Sequence, residues 1–344
     1  MSARTQTADV LKGIAALLMI QVHIIELFAT STIFESEAGK LLLFLGGPPV
    51  APVFLALLGY FIASSNKSTQ QQIIRGVKII ALGLLLNVAL NFNLILSVLQ
   101  GKYSTDLMPY VFGVDVLPHA GLCLILIALL PKIIKLNPFI LIALAFAVVF
   151  SGQWLMDYSS SSKVYTHVFA FVYGTAKWSY FPLLPWFAYS LMGMAFYNIT
   201  QRYDFSVLNG VGAKIALFVL FGLFMTFSFS YAVSIASNLQ EYYHHGMLFF
   251  IWTVSFLLLY CFTINAIVPF ISDNFVTNYL KWLGQNITAI YVVQWILIGN
   301  IATGIYQSIS SPSTLLINFI LIAAVSSIFV YCWLSLKNKI LSRK

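Results

Sequence analysis

The sequence predicts an all-α fold: a polytopic bundle of about ten transmembrane helices, with both termini on the inner side. Three observations predict it. Of 344 residues, 60% are hydrophobic and only 8% charged, where soluble domains carry about 25% charged residues. Ten apolar stretches are long enough to span a bilayer, which takes about 20 residues each. The basic residues are also unequally shared between the two sides, as the positive-inside rule requires.

The ten expected spans are 9–31, 42–65, 73–99, 115–134, 137–156, 180–199, 213–236, 247–270, 279–304 and 313–337. Gly and Pro interrupt the second at "GGPPVAPVF" (46–54), which neighbouring helices can cover. No linker divides the chain, so residues 1–344 read as a single integral-membrane domain. With the N-terminus inside, Lys40, Lys102, Lys163 and Lys177 fall outside, and the other fourteen of the eighteen Lys and Arg fall inside. The first run is not expected to be a cleaved leader, because Lys12 interrupts its start and Glu26 lies where a cleavage site needs neutrality.

The net charge is +8. In so apolar a chain it reads as a topology signal and as contact with anionic lipid; no nucleic-acid motif accompanies it. Cys123, Cys261 and Cys332 are dispersed in apolar runs, which argues against disulfides and metal clusters. No zinc-binding spacing is present and no metal is expected. The sequons at Asn66, Asn198 and Asn286 fall on the inner side or inside helices and read as chance matches.

Polar residues gather at the outer ends of the spans. In "DVLKGIAALLMIQVHIIE" (9–26), Lys12 and His23 are eleven residues apart. That is close to three turns and about 16 Å, so the two share a face. Asp9 and Glu26 lie near the same line. Intramembrane ionisable groups are costly and mark function by default. "GVDVLPHAGLCL" (113–124) brings Asp115 and His119, one turn apart. "YFPLLPWFAYSLMG" (180–193) brings Trp186, suited to the membrane interface or to a sugar-stacking wall. "GQNITAIYVVQW" brings Tyr291 and Gln294. His244 and His245, adjacent in the short loop "LQEYYHHGM" (239–247), are expected to be solvated. The outer cluster has the make-up of a general-base site, a histidine with a carboxylate partner.

These motifs resemble a known family. "DVLKGIAALLMIQVH" is similar to the first-helix signature of the transmembrane acyltransferase superfamily. "PVFLALLGYFIA", "VDVLPHAGLCLILIALL", "FPLLPWFAYSLMG" and "WLGQNITAIYVVQW" follow in that superfamily's order. The "FPLLPW" box and the stretch before the fourth helix resemble the heparan-alpha-glucosaminide N-acetyltransferase catalytic-domain branch. The first helix equally resembles the acyltransferase-3 branch. The resemblance implies acyl transfer from acyl-CoA, usually acetyl-CoA, to a glycan or lipid-linked sugar. The family's membrane histidine corresponds to His23. Lys12 stands where the family has arginine, and Gln294 where a histidine is often seen.

Residues and resemblance meet on one expectation. Acyl-CoA arrives from the inner side, its phosphates meeting Lys12, Arg75 and Lys78. The acceptor enters from outside, past Trp186, Tyr291 and Gln294. His23, assisted by Glu26 or Asp115, takes the acceptor's proton, with His119 as the alternative base. The expected location is a bacterial plasma membrane. Two other functions fit the composition. A secondary transporter would suit the polar track but lacks repeat symmetry; an envelope glycan polymerase or ligase would want a larger outer loop.

Overall fold

The computed structural model describes residues 3–341, apart from 157, 159–161, 175, 272 and 273. Arg343 and Lys344, two of the fourteen inner-side cations, and parts of the 157–179 loop lie outside the described residues. The fold is an all-α membrane protein. The principal helices are α1 (Ala3–Phe28), α2 (Glu37–Gly46), α3 (Ala51–Ala63), α4 (Thr69–Leu90), α5 (Phe92–Leu99), α6 (Val116–Leu129), α7 (Pro138–Leu155), α8 (Leu183–Arg202), α9 (Val211–Ser237), α10 (Met247–Ile267), α11 (Phe275–Gln285), α12 (Ile287–Ile305) and α13 (Pro312–Leu341).

Among the described residues, eight helical stretches are long and apolar enough to cross a membrane: 6–28, 37–63, 69–90, 138–155, 211–237, 247–270, 287–305 and 312–340. The expected fourth and sixth spans fall on α6 and α8. The first has 14 residues, about 21 Å of rise. The second has 20 residues but carries Ser190, Asn198, Thr200, Gln201 and Arg202, and leaves helical geometry at Leu184.

Three expected spans are broken, the second, 42–65, dividing at 47–50 into α2 and α3. The third, 73–99, divides at Asn91 into α4 and α5. Asn300 holds this break: its Oδ1 accepts from the Asn93 backbone N–H at 2.9 Å, and its Nδ2 donates to the Ala89 carbonyl at 2.8 Å. The ninth, 279–304, divides at Asn286. The apolar crossing begins only at Ile287, and α11 is a separate amphipathic helix capped by the Asn274 side chain. An Asn inside an apolar run competes for backbone hydrogen bonds and ends the helix locally.

The described residues form two compact units. The first takes residues 1–50, 88–105 and 267–344; the second takes 51–87 and 106–266. In the first, α1 packs on α2, α11, α12 and α13. The crossing of α1 and α11 is made by reciprocal glycines. A Cβ at Gly13 would strike the Leu280 carbonyl, and one at Gly284 would strike the Asp9 carbonyl. Small residues let helix backbones meet where hydrocarbon offers no hydrophobic drive to associate.

The second unit is organised around α8, which packs on α3, α6 and α7. It uses the same device: a Cβ at Gly59 would meet the Ser190 carbonyl, and one at Gly193 the Ala56 carbonyl. Each unit exposes large apolar side chains, Trp333 on α13 in the first and Phe227 on α9 in the second among them, as a lipid-facing surface requires.

Candidate functional site

In the first unit, the N-terminal half of α1 carries an ion pair. Lys12 Nζ lies 2.7 Å from Asp9 Oδ1, and Gln285 Nε2 donates to Asp9 Oδ2 at 3.0 Å. Asp9 is buried, and Lys12 is mostly so. Buried charges persist when paired and hydrogen-bonded, and here the pairing also ties α1 to α11. Lys12 therefore shares its charge with Asp9.

Three turns further along α1, His23 meets α12. Its Nδ1 lies 3.2 Å from Gln294 Oε1. The Gln294 amide is fully buried and donates from Nε2 to the Tyr291 carbonyl at 3.3 Å. That second bond fixes which end of the amide faces the imidazole: an oxygen, which can only accept. His23 Nδ1 must then carry the proton, and Nε2 the lone pair. Among the described residues Nε2 makes no hydrogen bond. Trp295 stacks on the ring with centroids 3.8 Å apart and planes inclined by 28°. Helical spacing explains the grouping, since Tyr291, Gln294 and Trp295 stand at i, i+3 and i+4 on α12. Glu26, half-buried, follows His23 by one turn near the end of α1.

The other expected site residues lie in the second unit. Asp115 caps α6, its Oδ1 accepting from the Val116 N–H at 2.7 Å. His119 is fully buried, with Nε2 3.1 Å from the Cys123 thiol one turn on. Asn87 steadies the chain before α6 by donating to the Gly113 carbonyl at 2.8 Å. Arg75 and Lys78 are both exposed, three residues apart on α4. Trp186 is wholly enclosed. Its indole N–H donates to the Tyr243 carbonyl at 2.7 Å, and Phe181, Tyr189, Tyr242 and His245 pack around the ring.

The 239–247 loop departs from expectation, because His244 and His245 are buried rather than solvated. A short helix, Leu239–Tyr243, folds the loop inward. His245 Nδ1 donates to the Tyr242 carbonyl at 2.8 Å, and its Nε2 accepts from the Tyr189 hydroxyl at 2.7 Å. Burial pushes both imidazoles down to about 4, so they are neutral at pH 7. Sequence reasoning missed this Tyr189–His245 pair and also missed Trp295. The available signals were the "HH" doublet and the Trp directly after Gln294.

Among the described residues, no group of three or more His, Cys, Asp or Glu is placed to hold a metal ion. Comparison with curated proteins and with solved structures gave no match. Residues 4–223 match the family described as heparan-alpha-glucosaminide N-acetyltransferase, catalytic. That stretch is more than half of the chain and includes His23, Arg75, Asp115, His119 and Trp186; Gln294 and Trp295 lie beyond it. The chain belongs to the heparan-alpha-glucosaminide N-acetyltransferase catalytic family, and is a multi-pass membrane acetyltransferase.

Proposed function

We propose that the protein moves an acetyl group from acetyl-CoA on the inner side of a membrane to a sugar amine or hydroxyl on the outer side. The family's name points to a glucosaminide amine as the acceptor. The observation that carries the reading is His23: an imidazole on an apolar helix, its Nδ1 held by Gln294 and its Nε2 without a hydrogen-bond partner among the described residues. Such a nitrogen is suited to take the acceptor's proton as the thioester carbonyl is attacked, and then to return it to the departing CoA thiolate. Glu26, a turn away, supports the positive charge that His23 gains. Tyr291 and Gln294 border the acceptor's approach.

Arg75 and Lys78 share one exposed face of α4 and suit the phosphates of CoA; Lys12, paired with Asp9, is a separate candidate cation in the first unit. The charge asymmetry of the sequence supports N-in and C-in orientation, and the plasma membrane of a bacterium as the location. Each compact unit is assembled from segments separated in the chain. That supports reading residues 1–344 as one acyltransferase domain rather than two joined pieces.

His23→Gln tests the reading, because it keeps a hydrogen-bonding side chain and removes the base. With acetyl-CoA and glucosamine, release of free CoA should fall by roughly 10²- to 10⁴-fold, while expression and monodispersity stay normal. Near-parental release would make His23 structural and return the search for the base to His119.

A further inference from the structure

We propose that Trp295 is a second catalytic residue, its indole N–H the donor that receives the oxyanion formed when the acetyl thioester is attacked beside His23. The proposal rests on the assignment of His23 above and deepens it. Trp295 lies outside the stretch matched to the family, so it is argued from this chain's own geometry.

Trp295 Nε1 is buried and has no hydrogen-bond partner among the described residues. A buried donor left unsatisfied is costly, and each instance in a native structure calls for an explanation. Several of the other buried polar atoms without partners are hydroxyls, of Thr30, Thr253, Thr263 and Ser326. A hydroxyl proton rotates to suit its surroundings. An indole N–H cannot, because its direction is set by the plane of the ring. The other indole in this state, Trp178, belongs to the second unit and stacks on His167 at 5.2 Å, a histidine that the proposed reaction does not use. Trp295 is stacked on the proposed base itself, at 3.8 Å.

Elimination around the imidazole leads to the same donor. Among the described residues, His23 hydrogen-bonds to Gln294 and stacks on Trp295. Gln294 turns its oxygen to the ring, and its amide nitrogen, with one N–H on the Tyr291 carbonyl, is directed away from the imidazole. Trp295 retains its N–H. The stack places the indole ring in contact with the imidazole, so a carbonyl attacked beside His23 is close to the indole as well. Preorganised N–H donors in a dry site stabilise developing charge strongly because they need not reorient during the reaction.

The step is balanced. The acceptor nitrogen or oxygen bonds to the thioester carbon while its proton passes to His23 Nε2. The π pair of the carbonyl moves onto oxygen, where the Trp295 N–H holds it. The carbonyl then re-forms, the carbon–sulfur bond breaks, and the thiolate leaves as CoA with the proton from His23. No further reactant is needed.

The test compares Trp295→Phe, which keeps an aromatic ring on His23 and removes the N–H, with the parent and with His23→Gln. The readout is free CoA released from acetyl-CoA with glucosamine as the acceptor. Trp295→Phe should lower kcat by roughly 10²- to 10³-fold and leave the KM for acetyl-CoA within about 2-fold, since the contact forms only in the transition state. Should Trp295→Phe fail to purify as a monodisperse protein, replacing Trp295 with benzothienylalanine, whose ring carries sulfur in place of N–H, should give the same loss in kcat. A kcat within about 3-fold of the parent in a folded variant overturns the proposal. If His23→Gln is nonetheless inactive, the base assignment stands and only the donor is wrong. If neither substitution matters, or the parent releases no CoA, the reading of His23 falls as well.

Discussion

Gln294→Leu is the most direct probe of how His23 is held. The substitution is close in volume, and it removes the one acceptor bonded to His23 Nδ1, at 3.2 Å. The Tyr291 carbonyl loses the amide donor but keeps its place in the backbone ladder of α12, so the damage centres on the imidazole. Without the acceptor, a proton on Nδ1 is buried and unpaired. That costs about 1–3 kcal/mol, which corresponds to roughly 5- to 150-fold in the population of the tautomer with its lone pair on Nε2. A kcat reduced by about that factor is expected, with little change in the KM for acetyl-CoA, because the donor's phosphates are proposed to bind at Arg75 and Lys78. Two measurements check it: free CoA release with glucosamine, and ¹⁵N chemical shifts of labelled His23, which distinguish protonated from unprotonated ring nitrogens. In the parent, Nδ1 should give the protonated shift and Nε2 the unprotonated one; in Gln294→Leu the two should approach each other. A variant that keeps parental kcat and the parental shift pattern would refute the claim that Gln294 selects the tautomer.

Other outcomes follow from the packing and the charges. Gly13→Val should lower the thermal midpoint of the detergent-purified protein, by an amount matching about 1–3 kcal/mol of overpacking, because the new side chain meets the Leu280 backbone; Gly212→Ala, where nothing lies within 4 Å, should leave it unchanged. His244 and His245 are held neutral with pKa values of about 4, below the 6.5 of an unfolded imidazole, so the unfolded chain takes up more protons between those values. Stability should be fully present above pH 6.5 and decline as the pH falls toward 4, and His245→Gln should flatten that slope in thermal melts. Arg75→Ala should raise the KM for acetyl-CoA more than it lowers kcat, as loss of uniform binding does; an unchanged KM in both Arg75→Ala and Lys78→Ala removes the pair from the donor site. Single cysteines in the 157–179 loop should react with an impermeant thiol reagent in intact cells while one near Arg202 does not, and the reverse pattern would invert the orientation.

The class of fold was legible in composition alone, and His23 in the cost of placing an imidazole in hydrocarbon. Relations between distant residues were less so. Gln294 reads in sequence as a residue that lines the acceptor's path, and only the packing of α12 on α1 turns its oxygen toward His23. Lys12 reads as a donor ligand, and its pairing with Asp9 shows in the sequence only as a shared helix face. Asn91 and Asn286 each break a helix, yet averaging hydropathy over a span hides a single polar residue. The loop histidines read as solvated because adjacent polar residues usually are. Their burial depends on Tyr189, more than fifty residues earlier, whose hydroxyl gives His245 the bond that water would otherwise make.

The 14-residue length of α6 bears on the membrane as well as on the protein. A helix rising about 21 Å falls short of a hydrocarbon layer of about 30 Å. Ten of its fourteen residues are buried against neighbouring protein, so lipid scarcely meets it. A helix enclosed in this way need not match the hydrocarbon thickness: the bilayer adapts to the longer, exposed helices such as α9 and α13, and α6 is free to be short.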